Sequence, residues 1–153
     1  PVFSPDGKTV AYAAKEGGKW LVVVGEKRGR SFDAIMFSEI DWLVSIVREA
    51  PTIIFSPDGK KVAYVGFDGN RAFVVAGDTI SSAFDSVGGL CVGGGFGYTQ
   101  KGQSMLLPPT FVVTVGETVR CKGSPFVFSP DGSKIAFGAR TGTELWWKVM
   151  QVP

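Results

Sequence analysis

The sequence predicts an all-β chain assembled from copies of one strand-and-turn unit. Three observations carry that expectation. The pentapeptide Phe-Ser-Pro-Asp-Gly occurs at 3–7, 55–59 and 128–132. Each copy is followed by short runs of Val, Ala, Ile and aromatic residues, the types that fit a half-buried pleated surface. The 21 glycines and 9 prolines punctuate these runs too often for long helices.

Within a copy the elements follow in a fixed order. Pro-Asp-Gly is a turn, because Pro fixes φ, Asp bonds its own backbone and Gly accepts a positive φ. A short strand follows at Val10-Ala11-Tyr12, Val62-Ala63-Tyr64 and Ile135-Ala136-Phe137. Gly17, Gly69 and Gly142 mark the loop after it. Next comes a continuous apolar strand such as Trp20 to Val24, expected to be buried on both faces. The last strand carries the pair Phe32-Asp33, matched by Phe84-Asp85. The third copy runs into Leu145-Trp146-Trp147 and reaches Pro153 before an outer strand. A fourth, degenerate copy aligns Tyr98-Thr99-Gln100-Lys101-Gly102 with the pentapeptide, keeping only the aromatic and the glycine, and Met105-Leu106-Leu107 with Val-Ala-Tyr.

The copies start at 3, 55, 98 and 128, with spacings of 52, 43 and 30. Four short strands at a period of ~40–50 residues is the pattern of a β-propeller blade. The expectation is one domain over residues 1–153, a β-propeller or partial propeller. It has three clear blades and one degenerate blade of about four antiparallel strands each, the last blade incomplete. Phe-Ser-Pro-Asp-Gly-Lys-x-Val-Ala-Tyr, a glycine loop and an aromatic-aliphatic strand together resemble the WD-repeat-like propeller repeat of the TolB family. The same repeat occurs in the N-terminal propellers of prolyl-oligopeptidase-type serine peptidases. The resemblance is specific for the fold and not for function, and implies a ring of six or seven blades.

Composition narrows the function classes. Hydrophobic residues make up 44% and aromatics 12%, enough for a packed core. Sixteen basic against fourteen acidic residues give a net charge of +2, too balanced for a nucleic-acid partner. No histidine is present, which removes His-dependent triads, His-ligated metals and the usual pH switch. The apolar runs, Trp20 to Val24 among the longest, fall far short of the ~20 residues of a spanning helix, so no membrane insertion is expected. Residues 1–20 lack the charged-then-apolar pattern of a leader, and periplasm and cytoplasm both stay open. Cys91 and Cys121 do not make a disulfide framework; buried free thiols are favoured and a disulfide stays open.

Motif by motif, the chemistry-bearing residues read as structural. Asp6, Asp58 and Asp131 each cap one turn and do not converge on a metal. Gly97 to Ser104 approaches a phosphate-binding loop, but Gln103 stands where its lysine is needed and Pro108-Pro109 forbids the helix. Gly93-Gly94-Gly95 does not match the dinucleotide fingerprint. No Gly-x-Ser-x-Gly elbow occurs. No catalytic residue, cofactor or metal ligand is therefore assigned. Lys27-Arg28 with Arg30 reads as a solvated turn, and Trp20, Trp146 and Trp147 as packing between blades. The insertion 37–50 reads as an extended strand with a turn, against a helix capped by Ser38.

A non-catalytic scaffold for protein–protein interaction is the expected function, with the accessory propeller of a larger hydrolase as alternative and small-ligand or carbohydrate binding as a weaker one. Uniform Pro-Asp-Gly turns suit a structural rim. The opposite rim, with its divergent loops, suits recognition. The candidate partner-binding residues there are Lys15, Glu39, Asp41, Trp42, Asp68, Arg71 and Arg140. The expected partner is a protein, together with self-association through open blade edges.

Overall fold

The computed structural model describes residues 1–40, 48–88, 96–98, 104–106, 114–115, 118–121 and 125–153, with backbone alone described over 37–51 and 88–121. Among the described residues the chain is all-β, without a helix. Three repeated sheets carry it.

Sheet 1 is a meander of β1 (Val2–Phe3), β2 (Val10–Glu16), β3 (Lys19–Val24) and β4 (Lys27–Arg28), antiparallel throughout. The turn from β1 to β2 shows why the pentapeptide recurs. The Ser4 hydroxyl donates to Asp6 Oδ1 at 2.6 Å and accepts from the Thr9 amide at 2.9 Å. Asp6 Oδ1 also accepts from the Lys8 amide, and the Gly7 amide closes on the Ser4 carbonyl. Gly7 has φ 71°, which a side chain rarely adopts. The same bonds form around Ser56-Asp58 and Ser129-Asp131.

The chain then builds β5 (Ala34–Ile40), β6 (Arg48–Pro51), β7 (Ile54–Phe55), β8 (Val62–Asp68), β9 (Arg71–Ala76) and β10 (Thr79–Ile80). Sheet 2 centres on β8 and β9. The inner edge of β8 is shared by two strands laid end to end. Ala34 and Ile35 of β5 pair with its far half, and β7 with its near half. Between them β5 continues outward and folds back on β6. Residues 37–40 and 48–50 are thus extended, as expected for the insertion; 41–47 lie outside the described residues.

The remainder comprises β11 (Ser86–Gly88), β12 (Phe96–Tyr98), β13 (Ser104–Leu106), β14 (Thr114–Val115), β15 (Thr118–Cys121), β16 (Phe126–Phe128), β17 (Lys134–Thr141) and β18 (Glu144–Gln151). Sheet 3 repeats the split: β11 and β16 share the edge of β17, and β18 lies on its other side. Much of the degenerate copy starting at 98 lies outside the described residues; its described part forms the hairpin β12–β13 and the pair β14–β15. One pairing departs from the antiparallel expectation. β15 runs parallel to β5, because it joins the outward continuation of that strand and not a meander of its own.

Two apolar layers separate the sheets. Ala11, Val22, Phe32, Val62, Tyr64 and Val75 fill the first, between sheets 1 and 2. The second, between sheets 2 and 3, holds Ala63, Val65, Val74, Phe84, Ile135 and Phe137 among others. Phe32 is fully buried, edge-on to Tyr64 at 6.2 Å and 6.1 Å from Phe73. Phe84 meets Phe137 at 5.8 Å in the equivalent place. Burying a phenylalanine side chain contributes roughly 1.5–3 kcal/mol, so these rings rank among the larger local terms. Leu21, Val22 and Val23 are buried, as expected for the apolar strand. Trp146 and Trp147 are not packed between sheets; they are 50% and 66% exposed, because β18 is the outer strand of the last described sheet.

Gly66 lies beneath the Phe32 ring, where an added Cβ would stand 2.5 Å from ring carbons. Gly66→Ala is expected to destabilise the chain by about 1–3 kcal/mol through overpacking, read from denaturant unfolding. The Tyr64 hydroxyl is buried with no hydrogen-bond partner among the described residues, and burial pushes its phenol up to about 12. Its counterpart in sheet 3 is Phe137. Tyr64→Phe is therefore expected to leave stability unchanged or to raise it by up to ~1 kcal/mol, since an unsatisfied polar group is removed. A clear loss of stability would show that the hydroxyl is satisfied in solution.

Candidate functional site

The turns β2–β3 (Gly17–Gly18), β8–β9 (Gly69–Asn70) and β17–β18 (Gly142–Thr143) line one rim, opposite the Pro-Asp-Gly turns. Charged residues flank each of them. Two aspartates organise the rim, and both follow the buried phenylalanines.

Asp33 leaves sheet 1 beside Phe32 and reaches sheet 2. Its amide donates to the Phe67 carbonyl at 2.8 Å. Its Oδ1 accepts from Lys19 Nζ at 2.7 Å, and its Oδ2 from the Gly69 amide at 2.8 Å. Asp85 repeats each contact one sheet later. Its amide donates to the Arg140 carbonyl at 2.9 Å, and its carboxylate accepts from Arg71 at 2.9 Å and from the Gly142 amide at 2.6 Å. Each carboxylate therefore clasps the basic residue of one sheet to the turn of the next. The Lys19 ammonium and the Gly69 amide hold the Asp33 carboxyl below the usual carboxylate range, and the bond to Asp33 raises the Lys19 ammonium. Lys19 and Asp33 are each about half-exposed, so solvent and salt weaken the ionic part.

Arg30 adds a third link between sheets 1 and 2. It pairs with Asp68 at 2.7 Å and stacks over Phe32 and Phe73 at 5.0 and 5.3 Å. The basic cluster is exposed, as expected of a solvated turn, and each of its residues also makes an ion pair, Lys27 with Asp78 and Arg28 with Glu16. The pairs Lys27–Asp78 and Arg30–Asp68 join neighbouring sheets, whereas Arg28–Glu16 stays within sheet 1.

Four of the residues singled out from the sequence lie on this rim. Lys15 sits over the Trp20 ring at 5.6 Å. Asp68 meets Arg30, Arg71 meets Asp85, and Arg140 donates to the Gly142 carbonyl and the Ser86 hydroxyl. Glu39 is in β5 opposite Glu49 of β6, away from these turns in the chain's pairing. Asp41 and Trp42 lie outside the described residues. Sequence reasoning placed Asp33 and Asp85 only as repeat residues and Arg30 only in a solvated turn, and passed over Lys19. The available signal was the joint repetition of a basic residue after the turn and of Phe-Asp fourteen positions later. Among the described residues no three His, Cys, Asp or Glu side chains are placed to hold a metal.

Aspartates at both rims sit below their ordinary pKa. Ser129 and Ser133 hold Asp131 at about 2, against 3.8 for a free side chain, and Asp6, Asp33 and Asp58 are lowered as well. Stability from these bonds is complete above about pH 4 and is lost as pH falls through the folded-state values. The thermal midpoint is expected to drop between pH 4 and pH 2, with a shallower drop in Asp131→Asn, whose amide oxygen still accepts from Ser129. A midpoint flat across that range would contradict the assignment. Neither a family model, nor a curated protein, nor a solved structure matches this chain.

Proposed function

We propose that the three stacked sheets are consecutive blades of a β-propeller, and that the chain is a non-catalytic scaffold binding a protein partner through the rim of turns 17–18, 69–70 and 142–143. One observation carries this reading: the two rims are built on opposite principles. At the Pro-Asp-Gly rim the same side chains make the same bonds in all three copies. At the other rim the scaffold bonds repeat while the displayed residues change. Gly18, Asn70 and Thr143 occupy one position, and Lys19, Arg71 and Glu144 the next. A third position holds Lys15 in sheet 1 and Arg140 in sheet 3, whereas its member in sheet 2, Phe67, is buried in the core and displays nothing. A rigid frame with substitutable side chains is what recognition requires, since those side chains change without disturbing the strands. The mixture of signs there suits a protein surface of mixed charge better than a polyanion.

The experiment places a photo-crosslinking side chain at Asn70, and at Lys60 on the opposite rim as control. Both positions are exposed. The partner is expected to crosslink from position 70 and not from position 60. Lys15→Glu is expected to weaken binding by about tenfold, ~1.4 kcal/mol, with only a small drop in the thermal midpoint from the lost contact with the Trp20 ring. Equal crosslinking from both positions would sink the rim assignment. Turnover abolished by mutating a residue of this chain would sink the non-catalytic one.

A further inference from the structure

Asp–Gly is a dipeptide open to rearrangement, because glycine has no side chain to keep its amide nitrogen away from the neighbouring carboxyl. The chain holds four, at 6–7, 58–59, 68–69 and 131–132. The rearrangement takes two steps. The glycine nitrogen attacks Cγ of the neutral aspartic acid, the N–Cγ bond forms, and one carboxyl oxygen leaves as water with the amide and carboxyl protons. Water then opens the succinimide. Opening at the side-chain carbonyl restores aspartate. Opening at the main-chain carbonyl gives isoaspartate, whose backbone is longer by one methylene and no longer fits the turn. The first step needs an unengaged amide and an un-ionised carboxyl.

At all four bonds both groups are engaged. The amides of Gly7, Gly59 and Gly132 donate to the carbonyls of Ser4, Ser56 and Ser129 at 2.8, 2.8 and 2.9 Å. The Gly69 amide donates to Asp33 Oδ2 at 2.8 Å. The carboxylates are held just as regularly. The hydroxyls of Ser4, Ser56 and Ser129 each donate to Oδ1 of the aspartate two residues on, at 2.6 Å. The amides of Lys8, Lys60 and Ser133 donate to the same oxygens. Asp68 Oδ2 accepts from Arg30 at 2.7 Å.

Donors of this kind favour the anion, the form that cannot lose water. Asp131, which also accepts from the Ser133 hydroxyl at 2.8 Å, sits at about 2 against 3.8 for a free side chain. Asp6 and Asp58 are lowered as well. The turn itself asks less of the serine. Its closing bond uses the serine carbonyl, which any residue supplies, and Pro, Asp and Gly set its dihedrals. The hydroxyl is the one group of the serine side chain, and in all three copies it is spent on the aspartate.

We propose that the serine of each pentapeptide is a chemical guard, whose hydroxyl keeps the Asp–Gly bond after it from isomerising to isoaspartate. Asp33 and Arg30 perform the same task for Asp68–Gly69. This role concerns the lifetime of the turns and does not rest on the function proposed for the rim.

The test ages the wild type and Ser129→Ala, folded and at mildly acidic pH, in heavy-oxygen water, so that each succinimide opened by water leaves a heavy oxygen in the chain. The four bonds fall in four different tryptic peptides and are read separately, by mass and by fragmentation that tells the two backbones apart. The folded wild type is expected to label far more slowly at all four than the chain unfolded in urea. Ser129→Ala is expected to label 131–132 alone severalfold faster. The limit is about sixtyfold, the change in neutral fraction between a pKa of about 2 and 3.8. Ser129→Thr keeps the hydroxyl and is expected to match the wild type. Circular dichroism checks that the variants retain β-sheet; where Ser129→Ala loses it, Ser4→Ala is read in the same way at 6–7. Wild-type labelling as fast folded as unfolded overturns the proposal, and so does an alanine variant that labels at the wild-type rate. A rise at all four bonds together in the alanine variant overturns it too, since that reports a loosened fold and not a lost hydroxyl. So does Ser129→Thr labelling as fast as Ser129→Ala.

Discussion

The fold depends on what happens at two dipeptides, Phe32-Asp33 and Phe84-Asp85. In each the backbone changes allegiance between one residue and the next. Phe32 exchanges both its backbone hydrogen bonds with Trp20 in sheet 1, while the Asp33 amide bonds to Phe67 in sheet 2. Phe84 and Asp85 do the same with Ala72 and Arg140. A strand that ends one sheet and begins the next fixes the distance between them. The phenylalanine ring then fills the gap it has created, and the aspartate ties the basic residue behind it to the turn ahead. Spacing, packing and capping are thus set by two adjacent residues.

The apolar and ionic parts of this step do different work. Phe32 is fully buried against Tyr64, Phe73 and the bare backbone of Gly66, so it carries a packing contribution that solvent does not screen. The ion pairs sit at the rims with side chains roughly a third to four-fifths exposed, where solvent and salt screen them strongly. Their value is geometric. Asp33 and Asp85 fix the height of one turn relative to the next, and so hold the displayed side chains of the rim in a set relation.

Local features were legible in the sequence and long-range ones were not. Ser-Pro-Asp-Gly specifies its own turn through contacts within five residues, so its position and its bonds follow from the letters. The strands after it are equally plain from their β-branched and aromatic content. The aspartate clasps were hidden because one of their donors is a backbone amide, Gly69 or Gly142, 36 and 57 residues away, and a backbone group leaves no mark in composition. The pairing of Lys27, Arg28 and Arg30 was hidden for a related reason: two of their three partners lie on the next sheet. Tryptophans 146 and 147 look like core residues by type, and only the position of β18 on the outermost described sheet exposes them.

The split inner strand bears on how the chain finds its fold. Each sheet is centred on a long hairpin of adjacent strands, β2–β3, β8–β9 and β17–β18, closed by a turn of two residues. The inner edge is different. Its halves lie 18 residues apart between Ile35 and Ile54, and 37 apart between Gly88 and Phe126. Closing a loop twice as long adds only about 0.6 kcal/mol of chain entropy, so the longer excursion weighs little on final stability. It weighs on rate. Gly88 pairs with Gly138, 50 positions away in the chain, whereas Thr141 pairs with Glu144 only three positions away. The hairpins therefore form early and wait for their inner strands. Contact order, not hydrophobic content, sets the pace at which the sheets are completed.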